Sequence, residues 1–277
     1  MEKQGKVEQI LKDEEKYKDS SMEKKKEVFK EIHDLLGGNI KLFISGAASL
    51  DPSIEEKFRR LGFNMVQGYG LTETSPVVAI GNKKYHKTGS IGKCVPSDEV
   101  KLLDVNKDGI GELAVKGPNV MLEYYENKEA TEKVLKNGWF QTGDLARIDE
   151  EGYIFICGRK KSVIVLKNGK NIFPEEMETL INKEDGVEES FIFGKPISKD
   201  PNDIKIFVKI VYNKESFEGK TETEIKEYFN EKIKSINKTM PHYKAIRGII
   251  ISDKPLIKTT TNKIKREKNL EQIIKEL

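Results

Sequence analysis

The sequence has few of the residues that build disulfide frameworks, metal centres or membrane spans. It contains two cysteines and three histidines, and no apolar run approaches the ~20 residues needed to cross a bilayer. Cys94 and Cys157 are far apart and lack metal-like spacing, which favours reduced thiols in a cytoplasmic protein. None of the histidines (His33, His86 and His242) is spaced with Asp or Cys as in a nucleophile or metal set, so we expect structural or surface roles for them.

An excess of charge of one sign is also absent. The 49 basic and 46 acidic residues are interspersed and leave a net charge of +3, which gives no electrostatic reason to expect nucleic acid as a partner. The first residues are charged and contain no apolar signal-peptide core. We therefore expect a cytoplasmic protein, and peripheral contact with a membrane stays open.

Apolar patterning predicts an α/β layer in the N-terminal part of the chain. Strands are expected at 40–44 and 64–67, on either side of a helix capped by Asp51 with Pro52 in its first turn. We expect the buried face of this helix to consist of Ile54, Phe58 and Leu61. Strand–helix–strand order is typical of a parallel sheet.

The pattern changes twice after this layer. From about residue 88, short strands alternate with glycine turns, which predicts a small antiparallel sheet or distorted barrel. After Lys161 a hairpin turn, two helices and three further strands predict a compact α+β domain. The second helix is expected to begin with a capping box formed by Thr221 and Glu224.

The segment 68–76, Gly-Tyr-Gly-Leu-Thr-Glu-Thr-Ser-Pro, directly follows a predicted strand, at the edge where α/β proteins bind ligands. Its glycines would let the backbone turn sharply and approach a ligand. Tyr69 can stack on a flat base, Thr72 can offer a hydroxyl to a phosphate, and Glu73 offers a hard oxygen to magnesium. An ordinary turn at a strand end explains the same residues, and the motif alone does not decide between the two.

Three charged side chains elsewhere have both a functional and an ordinary explanation. Asp144 follows Thr-Gly in an expected turn, where its carboxylate can accept from both ribose hydroxyls or bond its own backbone. Arg159 ends a strand, and its planar guanidinium group can bind ribose or phosphate oxygens. A surface ion pair is the ordinary explanation. Lys263 lies in a basic C-terminal segment that by itself indicates a solvated tail.

The segment 138–161, which runs from Gly-Trp-Phe-Gln-Thr-Gly-Asp to Cys-Gly-Arg-Lys-Lys, resembles the junction between the large and small domains of the acyl-adenylate-forming enzymes. That family also carries a Tyr-Gly-x-Thr-Glu motif, and its implied roles are adenine stacking for Tyr69, α-phosphate contact for Thr72 and magnesium binding for Glu73. The resemblance further implies that Asp144 and Arg159 hold the ribose. The nucleotide-binding residues that it implies are Ser45, Gly46, Ala47, Gly68, Tyr69, Gly70, Thr72, Asp144 and Arg159.

The C-terminal part of the chain resembles the small domain of the same family. The resemblance implies that Lys161 is the hinge on which this domain swings and that Gly169 lines the path of the CoA arm. It also implies that Lys263 is the lysine that reaches into the site during adenylation, with Thr72 and Glu73 as the other catalytic residues. Asn262 replaces the usual glycine before this lysine, and Asn tolerates a left-handed turn.

The resemblance covers about residues 23–277 and implies a mixed fold. Residues 1–160 would be the C-terminal part of a large domain, with an α/β layer and a small β-barrel-like subdomain, and 161–277 a compact α+β lid domain. The implied activity is AMP-forming ligation of a long-chain fatty acid to CoA, with ATP, magnesium and CoA as cofactors or co-substrates.

Several parts of such an enzyme do not appear in the sequence. We find neither the Ser/Thr/Gly-rich phosphate loop that ends in Pro-Lys-Gly nor most of the acyl pocket. We therefore expect a C-terminal portion, whose N-terminal half is supplied by another chain if the enzyme is split. Two alternatives stay open: an adenylation domain that loads a carrier protein, and a non-catalytic fragment that binds nucleotide weakly or serves as a partner module.

Overall fold

The computed structural model describes residues 2–260 and 262–276, with side chains for all of these except 2–8, 11 and 276. The chain forms two compact units, Met1–Cys157 (unit 1) and Gly158–Leu277 (unit 2). Thr261, in the basic C-terminal segment that contains Lys263, lies outside the described residues. Within the described part no helix is both long enough and apolar enough to cross a membrane.

Unit 1 begins with three helices, α1 (Glu2–Tyr17), α2 (Met22–Val28) and α3 (Lys30–Leu35). The helical pattern is interrupted at Phe29, which is 4% exposed and closes α2 before α3 begins. Two glycines with positive φ, Gly37 and Gly38, follow α3, in agreement with the general role of glycine as a helix terminator.

The predicted parallel layer is present as β1 (Phe43–Ser45), α4 (Pro52–Arg60) and β2 (Met65–Gly70). Asp51 caps α4, because its Oδ1 accepts the Ser53 amide at 2.8 Å. The sheet continues with two antiparallel strands, β3 (Val77–Ile80) and β4 (Lys93–Cys94), in the order β1-β2-β3-β4.

The predicted buried face of α4 is wrong in one respect. Ile54 is 44% exposed, whereas the neighbouring Glu55 is fully buried. Glu55 is buried because its carboxylate has polar partners: it accepts hydrogen bonds from the Gln67 side-chain amide and the Gly89 backbone amide, and it contacts His86. A buried carboxylate with three partners is stable where an unpaired one would not be.

The antiparallel sheet predicted from glycine turns is also present in unit 1. Its strands are β5 (Glu99–Leu103), β6 (Gly111–Lys116), β7 (Leu135–Lys136), β8 (Trp139–Ile148) and β9 (Ile154–Arg159), with α5 (Lys128–Val134) before β7. The strand order is β5-β6-β8-β7, and β9 also pairs with β8. Leu113, Ala146 and Ile154 are fully buried at the centre of its core.

Unit 2 is the expected α+β domain, and the predicted fold class is confirmed. It contains a hairpin, β10 (Ile164–Val165) and β11 (Asn171–Ile172), then α6 (Pro174–Ile181), β12 (Val187–Pro196), β13 (Ile204–Tyr212), α7 (Glu222–Thr239), β14 (Ile246–Ser252) and α8 (Arg266–Glu276). The strands β12, β13 and β14 form one sheet in that order. The capping box is formed as predicted, with Thr221 and Glu224 bonding reciprocally at the start of α7.

The side chains of this sheet alternate between two apolar cores. On β12, Ile192 packs into the core that contains Met177 of α6 and Phe229 of α7. Its neighbours Phe191 and Phe193 pack instead into a second core, which is shared with α8. The sheet of unit 2 is therefore covered by an apolar core on each of its faces.

Candidate functional site

The segment around Tyr69 lies where the parallel layer meets the antiparallel strands of unit 1. The sequence predicted a loop after a strand, but Gly68, Tyr69 and Gly70 all belong to β2. A Cβ on Gly70 would approach the Pro76 carbonyl oxygen to 1.7 Å. Glycine is thus required at position 70 by close packing of the backbone and not by a sharp turn, which corrects the sequence-based explanation.

Tyr69 and Asp144 are in direct contact, although 75 residues separate them in the sequence. The Tyr69 hydroxyl donates to Asp144 Oδ2 at 2.6 Å, a distance typical of a charge-assisted O–H···O⁻ bond. The Tyr69 side chain is half-buried and Asp144 is 5% exposed. The structure therefore brings together two residues that sequence reasoning assigned separately, one to a base and the other to a ribose.

Asp144 reaches this position through an irregularity in β8 and not through the predicted turn. The pairing of β6 with β8 shifts between Glu112 and Ala114, so that residues 142–144 lie opposite a single residue, Leu113. Gly143 has φ +72°, and its amide donates to Glu112 Oε1 at 3.1 Å. Such a bulge redirects one side chain of a strand, and here that side chain is the carboxylate that accepts from Tyr69.

Thr72 and Glu73 lie on a single 3₁₀ turn, Thr72–Thr74, immediately after β2. The turn is held from inside by Thr74, which is fully buried and whose hydroxyl contacts Leu71 and Pro76. Thr72 is exposed, so its hydroxyl is accessible to a ligand. The turn thus presents an exposed hydroxyl and a half-buried carboxylate on a rigid base.

Glu73 is contacted twice by a segment that sequence reasoning did not single out. The Tyr124 hydroxyl donates to Glu73 Oε1 at 2.9 Å, and the Met121 amide donates to the Glu73 carbonyl at 2.7 Å. Burial and the adjacent carboxylate raise the pKa of Tyr124 to about 12, so its hydroxyl stays protonated and can donate even well above neutral pH. No sequence pattern links the two residues, because 51 positions separate them.

The Ser45-Gly46-Ala47 segment begins at the last residue of β1 and lies beside β2. A Cβ on Gly46 would stand 3.4 Å from the Gly68 carbonyl oxygen, so the two glycine-containing segments are neighbours. Ala47 has φ +68°, a left-handed conformation that is unfavourable for a residue with a Cβ and that clusters at functional sites. The predicted nucleotide residues of β1 and β2 are therefore adjacent in unit 1.

A buried polar cluster, formed by Glu55, Gln67 and His86, adjoins the second of these segments, because Gln67 directly precedes Gly68. Gln67 precedes Gly68, and its Oε1 accepts the Leu50 amide at 3.3 Å while its Nε2 donates to Glu55 Oε2 at 3.1 Å. Burial alone would raise the pKa of Glu55, but the bonds from His86, Gly89 and Gln67 outweigh it and hold this pKa below its ordinary value. His86 thus has the structural role expected of it, with a glutamate partner that its spacing did not reveal.

The remaining predicted residues belong to unit 2. Arg159, at the end of β9, is exposed, and Lys161 is exposed on the 3₁₀ turn Lys160–Ser162. Gly169 has φ +75° in the hairpin turn between β10 and β11, and its amide donates to the Leu166 carbonyl at 2.8 Å. The hairpin is confirmed, whereas the ribose, hinge and CoA-path roles of these residues stay predictions.

Lys263 projects from a second, short hairpin that precedes α8. Lys258 and Ile264 pair as an isolated antiparallel β-bridge, and the Thr259 amide donates to the Lys263 carbonyl at 2.8 Å. Asn262 adopts φ +61°, the left-handed conformation expected from its replacement of glycine. The side chain of Lys263 is exposed, so the turn presents it to solvent on unit 2.

The base of the Lys263 hairpin is fixed by Arg266, the first residue of α8. Its guanidinium donates to both carboxylate oxygens of Glu178, at 3.0 and 2.9 Å, and to the Ile192 carbonyl at 2.8 Å. Burial raises the pKa of Glu178, and Arg266 opposes this shift only in part. No local sequence pattern relates Arg266 to Glu178, because 88 residues separate them.

Sequence models of known families match both parts of the chain. A model described as AMP-binding enzyme matches residues 7–125, and one described as AMP-binding enzyme C-terminal domain matches residues 161–277.

Long-chain-fatty-acid–CoA ligases are similar to this chain in sequence. The chain is 39% identical to the enzyme of Escherichia coli O6:H1 over 65% of its own length and 33% of that protein. It is 36% identical to FadD15 of Mycobacterium bovis over 69% of its own length and 30% of that protein.

Solved structures of adenylate-type enzymes share the fold. O-succinylbenzoate coenzyme A synthetase from Bacillus subtilis, in complex with ATP and magnesium, is 26% identical with a TM-score of 0.68, over 86% of this chain and 49% of that one. ATP-bound MatB from Rhodopseudomonas palustris is 27% identical with a TM-score of 0.67, over 85% of this chain and 46% of that one. The chain thus spans about a third of its curated relatives.

Proposed function

We propose an enzymatic role for this chain on the premise that it belongs to the AMP-binding enzyme family, whose two models match residues 7–125 and 161–277. In this role the chain is the C-terminal portion of an AMP-forming acyl-CoA ligase. The complete enzyme transfers the AMP moiety of ATP to a carboxylic acid with release of pyrophosphate, and then transfers the acyl group to CoA with release of AMP. Because the curated relatives are long-chain-fatty-acid–CoA ligases, we propose a long-chain fatty acid as the substrate.

The observation that carries this proposal is the hydrogen bond between Tyr69 and Asp144. This bond holds the edge of a half-buried aromatic ring beside a buried carboxylate. The ring is suited to stacking on the base of a nucleoside, and the carboxylate is suited to accepting hydrogen bonds from its sugar. We propose that Tyr69 stacks on adenine and that Asp144 accepts from the ribose hydroxyls, with Arg159 as a second ribose contact. The glycine-containing segments Ser45–Ala47 and Gly68–Gly70 then form the backbone wall beside the base.

Two residues of the 3₁₀ turn would meet the phosphates. The exposed hydroxyl of Thr72 is suited to the α-phosphate. Glu73 offers a carboxylate of which one oxygen is held by Tyr124, and no described residue donates a hydrogen bond to the other. This arrangement fits magnesium, which takes one or two carboxylates together with substrate phosphates. Bound there, the ion would neutralise charge on the triphosphate.

Unit 2 would contribute the mobile elements. Lys263, exposed at the tip of its hairpin, would neutralise charge at the α-phosphate and orient the carboxylate during adenylation. Lys161 would act as the hinge, because a solvated turn residue absorbs backbone rotation at little free-energy cost. Gly169 would line the path of the CoA arm, where its open turn leaves no side chain in the way.

The proposal is tested by separating the two half-reactions. In an enzyme completed by a supplied N-terminal portion, Lys263→Ala should lower acyl-AMP formation, measured as fatty-acid-dependent ATP–pyrophosphate exchange, far more than thioester formation from added acyl-AMP. Lys258→Ala is the matched control, because this lysine lies on the same hairpin and pairs with Glu189. Equal losses in both half-reactions would remove Lys263 from its assigned role.

The 277-residue chain alone should show little exchange activity, because half of the phosphate cradle is missing from its sequence. Robust exchange by the isolated chain with a fatty acid would contradict this expectation.

A further inference from the structure

Tyr124 is the one side chain of the described structure that holds the carboxylate of Glu73, and nothing in the family resemblance assigned it a role. Its hydroxyl donates to Glu73 Oε1 at 2.9 Å and its ring is half-buried. The hydroxyl of a partly buried tyrosine usually has a hydrogen-bond partner, and its partner here is a carboxylate that has no second donor among the described residues. The Tyr124 hydroxyl therefore binds one oxygen of the Glu73 carboxylate, and the other oxygen has no hydrogen-bond donor among the described residues.

The backbone around Tyr124 is itself fixed, so the hydroxyl has a defined position. The Tyr124 amide donates to Thr131 Oγ1 at 2.9 Å, and Thr131 in turn donates to the Asn127 carbonyl at 2.9 Å. Asn127 caps α5 through the Ala130 amide at 3.0 Å. This chain of bonds anchors Tyr124 to the first turn of a helix and not to a mobile loop.

The same segment fixes the other end of Glu73. The Met121 amide donates to the Glu73 carbonyl at 2.7 Å, so residues 121–124 hold both the backbone and the side chain of the glutamate. Two anchors of this kind limit rotation of the carboxylate about its side-chain torsions. A glutamate ligand that is already oriented loses less conformational entropy when a cation binds.

We propose that Tyr124 is a positioning residue, which orients Glu73 so that one carboxylate oxygen is bound to the protein and the other is left for a divalent cation delivered with a nucleoside triphosphate. This inference rests on the proposed function, because it assumes that Glu73 is the cation ligand. Removal of hydrogen-bond partners behind metal ligands typically lowers metal affinity about 10- to 100-fold. We expect Tyr124→Phe to lower affinity for the magnesium–nucleotide complex by about tenfold while leaving metal-free nucleotide binding unchanged.

The test measures two affinities of the 277-residue chain by isothermal titration: ATP in excess Mg²⁺, and AMP in EDTA. The variants are Tyr124→Phe, Glu73→Ala, the double variant, and Tyr125→Phe as the matched control, since Tyr125 is 87% exposed. Tyr124→Phe and Glu73→Ala should each weaken Mg²⁺–ATP binding but not AMP binding. Tyr124→Phe should have no further effect in the Glu73→Ala background, and Tyr125→Phe should have none in any background.

The possible outcomes separate the inference from the function on which it rests. If Glu73→Ala removes the magnesium-dependent affinity and Tyr124→Phe retains it, the inference fails and the proposed function stands. If Tyr124→Phe weakens AMP binding in EDTA as much as Mg²⁺–ATP binding, its role is merely structural and the inference also fails. If the wild-type chain shows no magnesium-dependent nucleotide binding, or Glu73→Ala leaves it unchanged, the assignment of Glu73 fails and the inference fails with it.

Discussion

Replacement of Arg266 by Met should destabilise unit 2 by an amount that depends on pH. Arg266 forms two bonds to the carboxylate of Glu178, whose side chain is 8% exposed. Without Arg266, the Ile192 amide at 2.7 Å is the one donor to this carboxylate that remains among the described residues. Leaving a buried charge without its partner destabilises a protein by about 3–5 kcal/mol, unless the group takes up a proton instead.

Protonation sets the upper limit of this loss. The ordinary pKa of Glu178 is 4.5, and neutralising such a carboxyl requires about 1.4 kcal/mol per pH unit above that value. The limit is therefore about 3.4 kcal/mol at pH 7 and about 0.7 kcal/mol at pH 5. Because burial raises the folded-state pKa of Glu178, the stability linked to this group is complete at low pH and is lost as pH rises through that pKa. Arg266→Met should make this loss steeper.

Hydrogen exchange at the Ile192 amide is the appropriate assay, because this amide bonds Glu178 and lies in the central sheet of unit 2. We expect exchange about a hundredfold faster than wild type at pH 7, and only a few-fold faster at pH 5. The double variant Glu178→Gln/Arg266→Met should recover most of the loss. Arg247→Met, an exposed change of the same kind on β14, should have little effect. An equal loss at pH 5 and pH 7 would refute the argument and indicate lost packing of Arg266 on the Phe191 ring.

Two further predictions concern unit 1. Burial raises the pKa of the Cys94 thiol to about 11, so at pH 8 we expect iodoacetamide to alkylate it about a hundredfold more slowly than a free thiol of pKa 9, as followed by mass spectrometry; a rate equal to that of a small free thiol would contradict the burial of Cys94. Glu55→Gln should lower the free energy of unfolding by about 1–3 kcal/mol at neutral pH, measured in urea through the fluorescence of Trp139, the single tryptophan. Since its partners hold the pKa of Glu55 below the ordinary value, this stabilisation is present above pH 4.5 and should fade as pH falls through the folded pKa. A loss that does not diminish as pH falls below 4.5 would show that the carboxylate charge is not responsible.

Local sequence signals predicted the elements of both units because each signal acts over a few residues. Asp51 before Pro52, the Thr221–Glu224 box and the glycine of the β10–β11 turn are satisfied by their immediate neighbours, and all three are confirmed. The left-handed Asn262 belongs to the same class. Such signals do not depend on how distant segments pack.

Contacts between distant segments could not be predicted in this way. The burial of Glu55 in place of Ile54 depends on His86, which lies 31 residues further along the chain. The partners of Glu73 and Arg266 are more distant still, and no periodicity relates them. Thr-Gly-Asp by itself predicts a turn at Asp144, whereas in the structure these residues form a bulge in the pairing of β8 with β6. Polar pairs of this kind are decided by tertiary packing and not by local propensity.

The most direct test of the account asks whether the chain recognises ribose through Asp144. The measurement compares the affinity of the 277-residue chain for AMP and for 2′,3′-dideoxy-AMP by isothermal titration, with wild type and Asp144→Ala. Since hydrogen bonds to a charged acceptor contribute about 1.5–3 kcal/mol, the wild-type chain should prefer AMP by about tenfold or more. Asp144→Ala should lose most of this preference and keep only the part supplied by Arg159, the second proposed ribose contact. A wild-type chain that does not distinguish the two nucleotides, or an Asp144→Ala chain that retains the full wild-type preference, would contradict the account.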